Sequence, residues 1–482
     1  MFKIYNSLSR KKELLPKVKK LRLFVCGPTV YDYAHLGHAR TYIFFDFFVK
    51  YLRSLGRKVF YLQNVTDIDD KIIKRAANVG KSPKALAAQF IEEYSKDMKA
   101  LGVNAVSKYA HATKFIPQIV NQVERLVKRR YAYKIEGDGY YFDIKKFPDY
   151  GKLSRRTALQ ADDAVSRIDE SVDKRNRGDF CLWKLPSADI RGLNADLRGK
   201  KFTVLAGEPI WKTPLGWGRP GWHIEDTAIS EHYFGPKYDI HGGGLDLKFP
   251  HHEAEIAQQE AASGKKPFVR IWMHTGMLIV NGEKMSKSLG NFITIRDFLK
   301  KHRPEVLRFI MLNYHYRSPL NYTEKLAKEM KNKLSEIESF VVKLGFIEKS
   351  KKTAAKAIKI RTDIRRFSRH FNRALADDFN TAQAIASIFA LMNKAQPFLW
   401  RLSRAEASNI RQAICNNLKN IGLEIKSPEI PRKIVALAKK REKYRTNKQF
   451  IQSDLLRKKI NRLGYEVEDT PLGPFIWPSG KS

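Results

Sequence analysis

The chain has 482 residues, 43% of them hydrophobic, and carries 90 lysines and arginines against 50 aspartates and glutamates, a net charge of +40. No apolar run reaches the roughly 18 residues that a membrane span needs, and three cysteines (Cys26, Cys181 and Cys415) cannot build a disulfide framework. What remains is a globular protein of three or four domains in a reduced, cytoplasmic setting. Its charge suits a polyanionic partner, although a lysine-rich proteome produces the same excess. Met1 to Lys20 has no signal-peptide core.

Residues 1–115 read as the first half of a doubly wound nucleotide-binding fold. Leu21 to Val25 is a short buried strand, followed by a Gly27-Pro28 turn and a long helix rich in Phe and Tyr. The turn between them holds Cys26, Asp32, His35, Gly37, His38 and Arg40, at the end of a strand where α/β sheets bind ligands. A helix N-terminus there is also an anion site. A second strand, Lys58 to Gln63, leads into Thr66 and the acids Asp67, Asp69 and Asp70. Parallel pairing of the two strands sets Thr66 beside Cys26. The acids are equally well explained as helix N-terminal charge.

Residues 116–200 read as an insertion, with a helix ending at Lys128-Arg129-Arg130 and short aromatic strands around Tyr140-Tyr141-Phe142. Cys181, between Phe180 and Leu182-Trp183, reads as a small buried hydrophobe. The nucleotide-binding fold resumes over 201–272. Pro209 to Glu225 is a Gly/Pro/Trp-rich loop ending at a helix start, and Tyr238-Asp239-Ile240 is a strand leading into His241-Gly242-Gly243-Gly244-Leu245-Asp246. Glycines at Gly243 and Gly244 let a backbone approach a flat ligand, with Asp246 placed for a ribose hydroxyl. His251 and Glu255, four apart on one helix, share a face and can ligate one ion. Over 273–320 a last strand leads to the loop Lys284-Met285-Ser286-Lys287-Ser288, which suits a mobile arm over a triphosphate. Residues 321–405 read as a helical bundle. Residues 406–482 read as a basic helical and mixed domain in which Tyr444, Phe450 and Trp477 interleave with cations, as suits stacking on RNA bases.

His35-Leu-Gly-His38 and Lys284-Met-Ser-Lys-Ser288, in that order and spacing, resemble the paired signatures of class I aminoacyl-tRNA synthetases. The wider set FVCGPTVYDYAHLGHART, NVTDIDDKIIKRA, DKRNRGDFCLWK, GRPGWHIE, HGGGLDLKFPHHEAEIAQ, EKMSKSLGNF, DDFNTAQAI and LGYEVEDTPLG is colinear and runs nearly end to end. It resembles the cysteinyl-tRNA synthetase family. The resemblance implies a Rossmann-like catalytic domain with an insertion, a helical bundle and a small anticodon-binding domain. It implies ATP-dependent activation of cysteine, then transfer to the terminal adenosine of tRNA(Cys), by a monomer with no membrane attachment.

Carried onto this chain, the family's catalytic groups are His35, His38, Lys284 and Lys287. Those for ATP, which arrives with Mg2+, are Gly37, His38, Gly243, Gly244, Asp246 and Lys287. The cysteine pocket is Cys26, Thr66, Trp222 and His251. The family's zinc ion has two Cys, one His and one Glu as ligands, which carry over to Cys26, His251 and Glu255, while the second Cys is Asp226 here. Aspartate can ligate Zn2+ and keeps the ligand charge, but it is a harder donor than thiolate. One alternative expectation is a relative joining cysteine to a small amine, against which the basic C-terminal end speaks. Another is a paralogue with altered amino-acid choice, or one that only binds RNA.

Overall fold

A computed structural model describes residues 2–156, 173–186, 200–205, 207–221, 224–286, 289–350, 360–425 and 428–479. Two of the expected site residues, Trp222 and Lys287, lie outside them. The chain divides into two compact units, Met1–Thr323 and Glu324–Ser482.

The first unit is built on a five-stranded parallel sheet. Its strand order across the sheet is Val269–Thr275, Tyr238–Gly244, Leu21–Val25, Val59–Val65 and Lys108–His111. The central strands are nearly continuous apolar runs because helices cover both faces. Leu21–Val25 is followed by strands on one side of it, while Tyr238–Gly244 and its successor lie on the other, so the chain reverses direction between these two neighbours. That reversal is the topological switch point of an open α/β sheet, where a crevice forms at the carboxyl ends of the strands. The helix Leu36–Ser54 crosses the sheet, burying Phe44, Phe45, Phe47 and Phe48.

The expected strands and helices of the α/β core are present, but the insertion is larger than its sequence suggested. A six-stranded antiparallel sheet takes in Ala132–Ile135, Gly139–Phe142, Phe180–Lys184, Gly216–Pro220, Glu208–Thr213 and Phe202–Leu205. Residues 202–220, read from sequence as loop and as the resumed catalytic fold, therefore belong to the insertion. The parallel core resumes with the helix Ile224–Phe234. Pro209 and Pro220 sit at strand ends and Gly218 packs so closely on Phe180–Lys184 that a Cβ would lie 2.4 Å from the Lys184 carbonyl. These residues mask a strand alternation that is nevertheless real. Cys181 is buried within this sheet, as expected.

After the core, Leu278–Val280 pairs with Glu283–Lys284 on one side and Leu320–Tyr322 on the other. In the second unit, Glu324–Lys349 packs on Arg404–Asn420, and Arg361–Ala376 packs on Thr381–Ala395, whose N-cap is Asn380. The bundle thus includes a fourth helix beyond the expected end at 405. Helices Arg432–Thr446 and Phe450–Arg462 then pack on an antiparallel hairpin, Tyr465–Thr470 with Gly473–Pro478.

Candidate active site

At the switch point the two neighbouring strand ends open into a cavity of about 420 Å³, lined among others by Cys26, His38, Thr66, Glu225, Asp246 and Lys284. Its floor depends on one glycine. Gly27 donates its N–H to Asn64 Oδ1 at 2.6 Å, and a Cβ there would lie 1.7 Å from the Asn64 carbonyl oxygen, so no other residue fits. This close approach continues into a bridge between Thr29 and Thr66, setting Thr66 beside the Cys26 turn.

On one wall, the His-Leu-Gly-His sequence is itself a capping box at the start of Leu36–Ser54. His35 Nδ1 accepts from the Gly37 N–H at 3.0 Å, and His38 Nδ1 accepts from the His35 N–H at 3.3 Å. The rings stack with centroids 3.9 Å apart. Because Nδ1 is the acceptor in each case, the proton of the neutral ring sits on Nε2, at a helix end that already favours anions. Burial, and then the neighbouring His35, hold His38 well below the ordinary imidazole pKa, so it is a neutral donor. Arg40, one turn on, donates to the carbonyls of Met311, His315 and Ser318, fastening this helix to the segment that precedes the strand Leu320–Tyr322.

A cluster of metal-ligating side chains fills the deep end. Cys26 Sγ lies 4.0 Å from Asp226 Oδ2 and 3.7 Å from Glu255 Oε1, and His251 Nδ1 lies 3.6 Å from Glu255 Oε1. The four expected ligands, from a strand end and two separate helices, are linked through these pairs but fall into two close groups that share Glu255: Asp226 and His251 with it in one, Cys26 with it in the other. Zn–S near 2.3 Å and Zn–N or Zn–O near 2.0–2.2 Å imply ligand separations of about this size around one tetrahedral ion. Asp226 Oδ1 and Glu255 Oε2 are buried with no hydrogen-bond partner. Burial, then Glu255 and Asp226, raise the Cys26 thiol, and burial followed by a carboxylate neighbour raises both Asp226 and Glu255. Burial and Lys71 push His251 down to about 3. Acidic groups forced together in a dry site beside neutral imidazoles call for a dication, and the mixed sulfur, nitrogen and oxygen set fits zinc.

Two further histidines, which sequence reasoning did not assign to the metal, face the same sulfur. His241 Nε2 and His252 Nε2 each lie 3.2 Å from Cys26 Sγ, and with Cys26 and Glu255 they form a second possible ligand set. Their other nitrogens are held from behind: His241 Nδ1 lies 2.6 Å from the Tyr238 hydroxyl and His252 Nδ1 2.9 Å from His274 Nε2. His241 begins the glycine run and pairs in register beside Phe24, two residues before Cys26. Its proximity to Cys26 could thus be read once the two strands were known to be neighbours, but not before.

The rest of the cavity is lined by small and charged residues. Gly37, Gly244, Asp246, Lys284 and Met285 line the same cavity as His35 and His38. Gly243 does not reach the cavity. Its missing Cβ would meet the His252 ring at 2.8 Å, so its smallness makes room for that histidine. Asp69 takes the bland part expected for it, capping Asp70–Asn78 by accepting from the Lys71 N–H at 2.7 Å. Asp70 pairs with Lys184 and Arg219 of the insertion.

Profiles for two families match the chain: tRNA synthetases class I (C) catalytic domain over residues 14–332, and DALR domain over residues 370–423. A cysteine–tRNA ligase of Thermococcus gammatolerans is 41% identical over 493 aligned residues, covering 98% of each chain. One from Methanococcus maripaludis is 41% identical, again with 98% of each chain covered. Among solved structures, Mycobacterium tuberculosis methionyl-tRNA synthetase in complex with methionyl-adenylate matches with a TM-score of 0.58 at 14% identity, covering 84% of this chain and 90% of that one. An Agrobacterium radiobacter LeuRS–tRNA–LeuAMS ternary complex gives a TM-score of 0.60 at 11% identity, with 84% of each chain covered. At such identities the structural likeness speaks for the fold alone.

Proposed function

The chain belongs to the class I (C) tRNA synthetases, the family of the cysteine–tRNA ligases, and from that premise we infer that it activates cysteine with ATP and transfers it to the terminal adenosine of tRNA(Cys). The observation that carries this reading is the single cavity that collects the His35–His38 helix start, Asp246, Lys284 and the Cys26 cluster. A nucleotide and a small thiol ligand can therefore meet there.

The chemistry needs no nucleophile from the protein. The amino-acid carboxylate attacks the α-phosphorus, a new P–O bond forms as the bond to pyrophosphate breaks, and a hydroxyl of the terminal adenosine then attacks the acyl carbon and expels AMP. Catalysis is thus positioning, together with neutralising the charge that grows on pyrophosphate. The capping geometry supports His35 and His38 as Nε2–H donors to the phosphates. Lys284, at the cavity edge, and Lys287 are the cations of the arm, closing over a triphosphate that carries Mg2+. Asp246 and Gly244 hold the ribose side, and Gly37 keeps the helix start open to the nucleotide.

Cys26, Asp226, His251 and Glu255 would hold zinc, with Thr66 and Trp222 bounding the cysteine pocket. A zinc ion there supplies a thiophilic Lewis acid that distinguishes a thiol from a hydroxyl. No helix among the described residues is long and apolar enough to cross a membrane, and three scattered cysteines are few enough for a reduced, cytoplasmic setting.

ATP–pyrophosphate exchange with cysteine, with serine as control and a tRNA-charging assay alongside, tests the reading. Exchange with cysteine but not serine, followed by charging, is expected. Exchange without charging would favour a ligase acting on a small amine, and exchange with neither amino acid would leave an RNA-binding paralogue. Equal exchange with both would mean that Asp226 has changed the choice of amino acid.

A further inference from the structure

Beside the metal-ligand cluster one buried acid remains without a task. Glu225 directly precedes Asp226 in the first turn of Ile224–Phe234, is 7% exposed and lines the cavity. Its Oε1 accepts from the Thr66 hydroxyl at 3.3 Å, whereas Oε2 is buried and has no hydrogen-bond partner among the described residues. An ionised carboxylate in that state is costly unless a cation reaches it. The protein supplies little to meet it. The described lining residues include the carboxylates of Asp32, Asp69, Asp246, Glu225 and Asp226, against the ammonium groups of Lys71 and Lys284 alone. Asp69 is already taken as a helix cap, and Asp226 belongs to the metal set.

We propose that Glu225 binds the α-ammonium group of the amino-acid substrate, with Thr66 completing the site. The inference rests on the cysteine-activation reading above and adds a specificity-determining residue to it. In cysteine the ammonium nitrogen is two carbons from the sulfur. A sulfur lodged against Cys26 and Asp226 therefore carries its ammonium group toward the neighbouring residue, Glu225. The Thr66 hydroxyl donates to Glu225 Oε1 and accepts from Asn64 Nδ2 at 3.2 Å, which leaves it one lone pair for an ammonium N–H. Two points of attachment on one small molecule, thiol and ammonium, fix the direction in which its carboxylate must point. The same cavity is lined by His35, His38 and Lys284, so that carboxylate shares it with the groups proposed for the nucleotide.

The test compares three thiols as competitors of cysteine-dependent ATP–pyrophosphate exchange in the full-length protein loaded with zinc: cysteine itself, cysteamine, which keeps the ammonium and lacks the carboxylate, and 3-mercaptopropionate, which keeps the carboxylate and lacks the ammonium. Glu225→Gln should weaken cysteine (read as its KM) and cysteamine by about tenfold to a hundredfold, the range for a lost hydrogen bond to a charged group, and leave 3-mercaptopropionate and the KM for ATP unchanged. Weakening of all three thiols alike, or of none, would overturn the assignment. If Gln at this position prevents folding, Glu225→Asp, which keeps the charge but withdraws it, carries the same comparison. Absence of cysteine-dependent exchange in the unaltered protein would instead overturn the activity reading, which is a separate result.

Discussion

In Met1–Thr323 the charges that matter are buried. Cys26, Glu225 and Asp226 line one cavity, with Glu255, His241 and His252 packed against the Cys26 sulfur, and one carboxylate oxygen each of Glu225, Asp226 and Glu255 has no hydrogen-bond partner among the described residues. In Glu324–Ser482 the charges face water. Lys433, Lys439, Lys440, Lys443, Arg445, Lys448, Arg457, Lys458, Lys459 and Arg462 are exposed on two adjacent helices and the turn between them, with Phe450, Ile451 and Leu455 exposed among them. Buried charge costs stability until a ligand neutralises it, so it selects small cargo by exact complement. Exposed charge binds a polyanion through counterion release and is insensitive to the detail of any one residue. One chain therefore holds two recognition surfaces that obey different rules, and each can be disturbed without the other.

The largest effect should follow from breaking the buried cluster. Cys26→Ala removes the sulfur of the Cys26, His241, His252 and Glu255 group and leaves the Asp226, His251 and Glu255 group without a soft donor beside it. Zinc content of the purified protein should fall from about one per chain to near zero. Cysteine-dependent exchange should fall by more than about a hundredfold, beyond the cost of losing an outer-sphere partner. Binding of tRNA, measured by filter retention at moderate salt, should change by less than about threefold if the two surfaces are independent. Full zinc content in the variant would show that Cys26 is not a ligand.

How much of this could be read in the sequence follows the same division. The strand-end turn, the helix start and the parallel pairing of Leu21–Val25 with Val59–Val65 were legible because they depend on local apolar runs and turn residues, whereas the pairing of Leu21–Val25 with Tyr238–Gly244 was not. Of the expected ligands, His251 and Glu255 were legible as a pair four apart on one helix, but joining them to Cys26 and Asp226 took the resemblance, since scattered residues have no local signal. His252 and Glu225 were hidden for a different reason. Each stands next to a residue already assigned, His251 and Asp226, and only the helix rotation in the folded protein shows that the neighbour also faces inward. His35 and His38 cap their own helix, and that capping fixes the tautomer that a phosphate donor would need. The hairpin after Gly464 was unreadable because Tyr465–Thr470 alternates acids with apolar residues on a half-exposed edge, and its partner reads as a Pro- and Trp-bearing tail.

A smaller effect, confined to the exposed surface, should come from removing the residues beyond about 430. This deletes the basic helix pair and its hairpin. Charging of tRNA(Cys) at physiological salt should fall by about tenfold to a thousandfold, while cysteine-dependent exchange stays within about twofold. Raising salt from 50 to 200 mM should weaken tRNA binding steeply in the full chain and less in the truncated one, because fewer phosphate contacts remain. Charging that survives truncation unchanged would move tRNA recognition out of this region.

The smallest effect distinguishes the amount of buried charge from its chemical softness. Asp226→Cys exchanges a carboxylate for a thiolate and leaves the formal ligand charge unaltered once a metal is bound. If neutralisation of the buried acids governs the first unit, cysteine activation should move by less than about tenfold. Zinc should be retained better against a chelator, because the added donor is soft, whereas Asp226→Asn, which removes the charge, should lose both metal and activity. The two substitutions differ little in size, so overpacking does not separate them. A rise in kcat/KM for cysteine of a hundredfold or more in Asp226→Cys would mean that donor softness, and not net charge, limits this enzyme. The aspartate would then mark a site that has given up part of its preference for sulfur.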